Sequence, residues 1–96
     1  MIVSFGNKTT ENIFHGVSNK KTRHYPQDII NVIERKLDFI EAAFDIKDLL
    51  SPPGNRLEKL KGDLSEFYSI RINTQFRIIF KWHNHDAHSV QVIDYH

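Results

Sequence analysis

The sequence predicts an α+β fold in which an N-terminal strand and helices pack on one face of a small antiparallel β-sheet. Three observations predict it. Between Pro26 and Phe44 apolar residues recur at spacings of three and four, the period of a helix with one buried face. The run Ser51-Pro52-Pro53-Gly54-Asn55 then stops any helix. Beyond it apolar and polar residues alternate, as in strands with two different faces. Helices first and strands afterwards imply segregated layers rather than a parallel α/β alternation.

Taken in order, Ile2-Val3-Ser4-Phe5 is rich in strand formers and is read as a first strand ending at Gly6-Asn7. Thr9 or Thr10 is expected to cap a brief helix running to about His15. Gly16 to His24 is polar and basic without apolar periodicity, and reads as a mobile connection. Pro26 and Asp28 suit the first turn of the long helix, whose stripe is Ile29, Ile33, Leu37, Ile40 and Phe44. Asn31, Glu34, Arg35, Asp38 and Glu41 occupy the other face. Asp45 to Leu50 is read as one further turn. Arg56 to Leu60 is read as a short strand, with Lys61-Gly62-Asp63 as the turn after it. Phe67 to Asn73 and Phe76 to Trp82 form a hairpin around Asn73-Thr74-Gln75, and Ser89 to Asp94 returns as the last strand after a turn at Asn84-His85-Asp86-Ala87. In Phe76 to Trp82 one face carries Phe76, Ile78, Phe80 and Trp82, and the other carries Arg77, Ile79 and Lys81.

A chain of 96 residues has room for one core, so residues 1–96 are read as a single domain. No apolar run approaches the roughly 20 residues that span a bilayer. The N-terminus lacks the features of a secretory signal, and the sequence contains no cysteine, so the cytoplasm is the expected compartment and thiolate chemistry is excluded. The net charge of +1 conceals a polarity. Arg56, Lys59, Lys61, Arg71, Arg77 and Lys81 outnumber Glu58, Asp63 and Glu66, whereas residues 31–50 lean acidic. A basic stretch of this kind suits a polyanion, although a solvated face has the same composition. His83, His85 and His88 crowd a turn with Asp86 but lack the spacing of familiar zinc sites, so no metal is assigned.

Four pieces of the chain then resemble one family. They are Asn55-Arg56-Leu57-Glu58-Lys59-Leu60-Lys61-Gly62-Asp63-Leu64, Tyr68-Ser69-Ile70-Arg71-Ile72-Asn73, Phe76-Arg77-Ile78, and the terminal Val92-Ile93-Asp94-Tyr95-His96. In order, spacing and chain end they are similar to the HigB branch of the RelE toxins, over about Tyr25 to His96. The resemblance implies a RelE-like fold and a ribosome-dependent mRNA endoribonuclease without a cofactor. It also implies neutralisation by a helix-turn-helix antitoxin of the HigA kind. By motif, Asp94, Tyr95 and His96 match the active-site triplet, and Arg77 and Lys61 match basic positions beside the RNA backbone. Arg56 and Lys59 extend that basic stretch, and Tyr68 lies where the family often places an aromatic. Glu58 stands where some relatives carry histidine. It is read either as a general base or as a carboxylate tethering Lys61 or Arg77, so the base is open among Glu58, Asp94 and His96.

Metal-free RNA cleavage by the 2′-hydroxyl needs a proton acceptor, cations for the charge gathered on phosphorus, and an acid for the departing 5′ oxygen. His96 titrates in the useful range, Arg77 offers a fork of donors, Lys61 offers a point charge and Tyr95 a stacking surface. Two other activities stay open for the same fold: a ParE-like gyrase poison with no catalytic groups, and an inhibitor of ribosome assembly.

Overall fold

The computed structural model describes residues 1–95; His96 lies outside the described residues. Helix α1 spans Lys8–Phe14 and helix α2 spans Gln27–Ala42. Strands follow at Glu58–Lys59 (β1), Phe67–Arg71 (β2), Phe76–His83 (β3) and Asp86–Asp94 (β4). They form one antiparallel sheet in the order β1-β2-β3-β4. Ile33, Leu37 and Ile40 of α2 and Ile13 of α1 pack with Ile70, Ile78, Phe80, Val90 and Val92 into one core. The helices therefore cover one sheet face and leave the other open, as expected for an α+β fold.

Several elements differ from the sequence reading. Ile2 to Phe5 is not a continuous strand: it runs parallel to β4 through isolated bridges at Ile2–Ala87 and Phe5–Val90. The interruption has a cause in β4, where Ser89 adopts φ 53° at a bulge against β3 and its N–H bonds the Ser4 hydroxyl at 2.8 Å. Gly6 lies so close to β4 that a Cβ there would overlap the Gln91 amide and stand 3.0 Å from the Ser89 carbonyl. The cap of α1 is Asn7, whose side chain accepts from Thr10 N at 2.9 Å. Thr10 is instead buried, and its hydroxyl accepts from Val92 N at 3.0 Å.

The connection expected to be mobile is pinned. Asn19 and Thr22 exchange side-chain and backbone bonds of 2.9–3.0 Å around a 3₁₀ turn at Thr22–His24. Phe44 falls beyond the end of α2, is 71% exposed, and stacks on His85 at 4.3 Å instead of closing the helix stripe. The further turn at Ile46–Leu50 is present, with Asp48 accepting from the N–H groups of Phe44 and Asp45 at 3.0 Å. Those bonds, first Asp45 and then Phe44, hold the Asp48 carboxyl below its ordinary range.

In the second half Arg56 takes the left-handed conformation (φ 46°, ψ 53°), which shortens the expected strand to Glu58–Lys59. Both hairpins are present with shifted bounds: β2 ends at Arg71 rather than Asn73, β3 runs on to His83, and β4 begins at Asp86, inside the expected four-residue turn, because the turn itself needs only two residues. The Asn73 side chain accepts from Gln75 N and Phe76 N at 2.9 and 2.7 Å, and Asn84-His85 supply the two positive φ values of a tight turn.

Thr10 joins α1 to β4 by a single buried bond. Thr10→Val should leave the Val92 N–H without a partner and lower unfolding stability by about 1–3 kcal/mol. A urea titration with an unchanged midpoint would show that this bond contributes nothing.

Candidate nucleic-acid cleavage site

Strand alternation places Ser69, Arg77 and Glu58 on the open face. Glu58 lies opposite Ser69 on neighbouring strands, and Arg77 sits one strand further in, so its side chain crosses β2 to reach both. Its Nε donates to Ser69 Oγ at 2.6 Å, and Nη2 donates to the Arg56 carbonyl at 2.8 Å. Nη2 also faces Glu58 Oε1 at 3.5 Å. The Arg77 side chain is only 11% exposed, whereas that of Glu58 is 50% exposed. The Tyr95 ring lies 5.3 Å from the guanidinium carbon, within cation–π range. Nε and Nη2 are thereby engaged, and among the described residues no acceptor meets Nη1. Nη1 is the part of the fork that a phosphate oxygen can take.

Glu58 and Tyr95 also line a shallow cleft of about 270 Å³ with Lys59, Leu60, Lys61 and Leu64. Two ammonium groups and an aromatic ring thus border one opening, and the Arg77 guanidinium reaches the Glu58 and Tyr95 side chains that line it. Arg71, the direct cross-strand partner of Arg77, adds a further cation to this face. A larger cavity of about 430 Å³ lies between the α1–α2 connection and the start of α2, and none of the expected site residues lines it.

Not every expected residue arrives there. Asp94 is on the strand phase of Phe76, which faces the helices, and its carboxylate accepts from Gln75 Nε2 at 3.1 Å. It lies near Tyr25, whose phenol is raised above its ordinary pKa first by burial and then by this carboxylate. Gln75 also accepts Tyr95 N at 2.7 Å, so it clamps the end of β4 from which Tyr95 turns to the open face. Tyr68 lies on the helix-facing side and stacks on Phe80; the Lys59 ammonium stands 5.0 Å from its ring, although Lys59 also lines the cleft. Arg56 contributes its carbonyl. His96 lies outside the described residues.

Ser69 and Gln75 were not singled out from the sequence. Ser69 does carry a signal, since it is the small hydroxyl residue at the phase of Arg77 in an otherwise bulky strand. The histidine turn holds no group of three or more metal-ligating side chains among the described residues; His85 Nδ1 is 2.8 Å from the Phe44 carbonyl.

Known proteins resemble this chain over most of its length. A family model described as HigB-like toxin, the RelE-like toxin of the type II toxin–antitoxin system HigB, matches residues 3–96. The chain is 42% identical over 82 residues to Toxin HigB-1 of Vibrio cholerae, covering 85% of this chain and 84% of that protein. It is 33% identical over 97 residues to Endoribonuclease HigB of Proteus vulgaris, spanning 100% of both. Among solved structures it resembles the YoeB dimer of Staphylococcus aureus, with TM-score 0.64, 21% identity, and coverage of 100% of this chain and 97% of that one. The heterotetrameric YoeB–YefM toxin–antitoxin complex of the same organism gives TM-score 0.63 and 20% identity over 100% and 98% of the chains. These structural likenesses are of fold.

Cations inside and outside the cleft predict different responses to a polyanion. Lys61→Ala should weaken binding of a short single-stranded oligonucleotide and flatten its log-affinity against log-salt slope by about 0.7. Lys8→Ala, on α1 and away from the cleft, should leave that slope unchanged. Equal effects of the two substitutions in a fluorescence titration would contradict a role for the cleft.

Proposed function

This chain belongs to the HigB-like family of RelE-like toxins from type II toxin–antitoxin systems, and on that premise we propose that it is an endoribonuclease that cuts mRNA on the ribosome without a metal. Membership in such a system makes an antitoxin its partner. In our reading this is a HigA-like helix-turn-helix protein, and the toxin works in the cytoplasm. The reading is carried by one observation: a guanidinium fixed at three points, with no acceptor at Nη1 among the described residues, beside a cleft lined by Lys61 and Tyr95.

In the proposed reaction the 2′-hydroxyl of RNA attacks the adjacent phosphorus and expels the 5′ oxygen, leaving a 2′,3′-cyclic phosphate and a 5′-hydroxyl. Negative charge peaks on the non-bridging oxygens at the crowded phosphorus. Arg77 meets it already oriented, so no reorganisation is needed as the charge develops. Lys61 neutralises a neighbouring phosphate, and the Tyr95 ring stacks on an unpaired base so that the strand bends toward in-line attack. Glu58 acts as the tether of Arg77, the second of its two sequence readings, since its carboxylate already faces that guanidinium. Proton transfer falls to His96, the residue after Tyr95. Asp94 and Gln75 hold the strand end that carries both. The ribosome positions the message, which explains why so small a cleft suffices.

The test is cleavage of mRNA on translating ribosomes. Arg77→Ala should slow it by about 10²–10³-fold, the usual cost of losing an oxyanion donor. Removal of His96 should slow it at least as much, and the wild-type products should carry 5′-hydroxyl ends. Arg77→Ala cutting at the wild-type rate would refute the assignment. Inhibition of DNA supercoiling with intact translation would replace it by gyrase poisoning.

A further inference from the structure

Lys36 takes no part in the chemistry above, yet it is 6% exposed on the buried face of α2, between Ile33 and Ile40. No carboxylate among the described residues pairs with it; its ammonium donates to Asn55 Oδ1. Burial first, then the Arg35 and Arg71 charges, depress its pKa, so the site is unfavourable for a cation. Packing alone would select an apolar side chain of similar length there. What the ammonium does is fix Asn55, which is fully buried and whose Nδ2 donates to the Leu49 and Ser51 carbonyls at 3.2 and 3.4 Å.

Asn55 ends the 3₁₀ turn at Pro53–Asn55, directly before left-handed Arg56. The Arg56 carbonyl is one of the three anchors of Arg77, at 2.8 Å from Nη2. A bonded path therefore runs from the core face of α2 to the guanidinium on the open face. We propose that Lys36 and Asn55 are positioning residues that set the Arg56 carbonyl, and through it the Arg77 guanidinium, for its phosphate. The proposal rests on the ribonuclease reading. It assigns a task to a buried cation that core packing does not explain.

The experiment reads position and rate separately. The Arg77 Nε–H proton, donated to Ser69 Oγ, is followed by NMR and assigned by its loss in Arg77→Lys. In Lys36→Met this resonance should move or broaden, and kcat for mRNA on ribosomes should fall at least tenfold with KM changed less than threefold. Lys36→Gln keeps an amide donor one atom shorter and should be intermediate in both readouts. Thr10→Val, destabilised on the helix-covered side of the sheet rather than on the open face, should leave both unchanged at temperatures where it is folded. If Lys36→Met does not fold, Lys36→Gln carries the test, and a wild-type resonance in that variant overturns the proposal. A folded Lys36→Met with an unmoved resonance, or with a rate no lower than that of Thr10→Val, overturns it too. Wild-type protein that cuts no mRNA refutes the ribonuclease reading instead, while the resonance still decides whether Lys36 positions Arg77.

Discussion

The site is organised around the anchoring of one guanidinium on the open sheet face. A cation only 11% exposed is costly unless its donors are met, and Arg77 is met by a hydroxyl, a carbonyl and a carboxylate from β1, β2 and the turn before them. Each anchor depends on a feature of the fold. Ser69 and Glu58 face each other because β1 pairs with β2 in that register. The Arg56 carbonyl is turned to the sheet by a left-handed residue, and the strand carrying Arg77 is held from behind by Ile78 and Phe80 in the core. Nη1, which no acceptor meets among the described residues, is left for a phosphate.

The chain ends are tied to this arrangement from both sides. The first residues bond along β4: Val3 N and Gly6 N donate to the Ala87 and Val90 carbonyls at 2.8 Å. Thr10 adds its buried bond to Val92. At the other end Gln75 grips Asp94 and Tyr95, so Tyr95 leaves β4 in a defined direction. A terminal tripeptide is ordinarily prone to fraying. Here the described part of it is held by the hairpin turn that precedes β3.

Much of this was legible in the sequence, and the exceptions share a physical cause. The α2 stripe, the Pro-Pro-Gly stop and both hairpins are local signals, and they appeared where periodicity and turn chemistry placed them. The alternation in Phe76 to Trp82 correctly separated Arg77 from the core. Tertiary bonds decided the rest. Thr10 reads as a cap but is spent on Val92; Phe44 continues the helix period but falls past the helix end and stacks on His85; Lys36 belongs by phase to the buried face and is stabilised by a residue 19 positions away. In the site, motif resemblance gathered Asp94, Tyr95, Lys59, Tyr68 and Arg77 as one group, whereas strand phase divides them between two faces. Ser69 and Gln75 were missed because their roles are visible only once the strands are paired.

The account stands on the open edge of Arg77 meeting the scissile phosphate. The most direct measurement is a structure of the toxin on a ribosome programmed with an mRNA whose attacking 2′-hydroxyl is methylated, which halts the reaction before cleavage. The account predicts Nη1 of Arg77 at about 3 Å from a non-bridging oxygen of that phosphate, with the bonds to Ser69 and Arg56 still in place. A phosphate bound on the helix-facing side, or an Arg77 turned away while the message lies in line for attack, would contradict it.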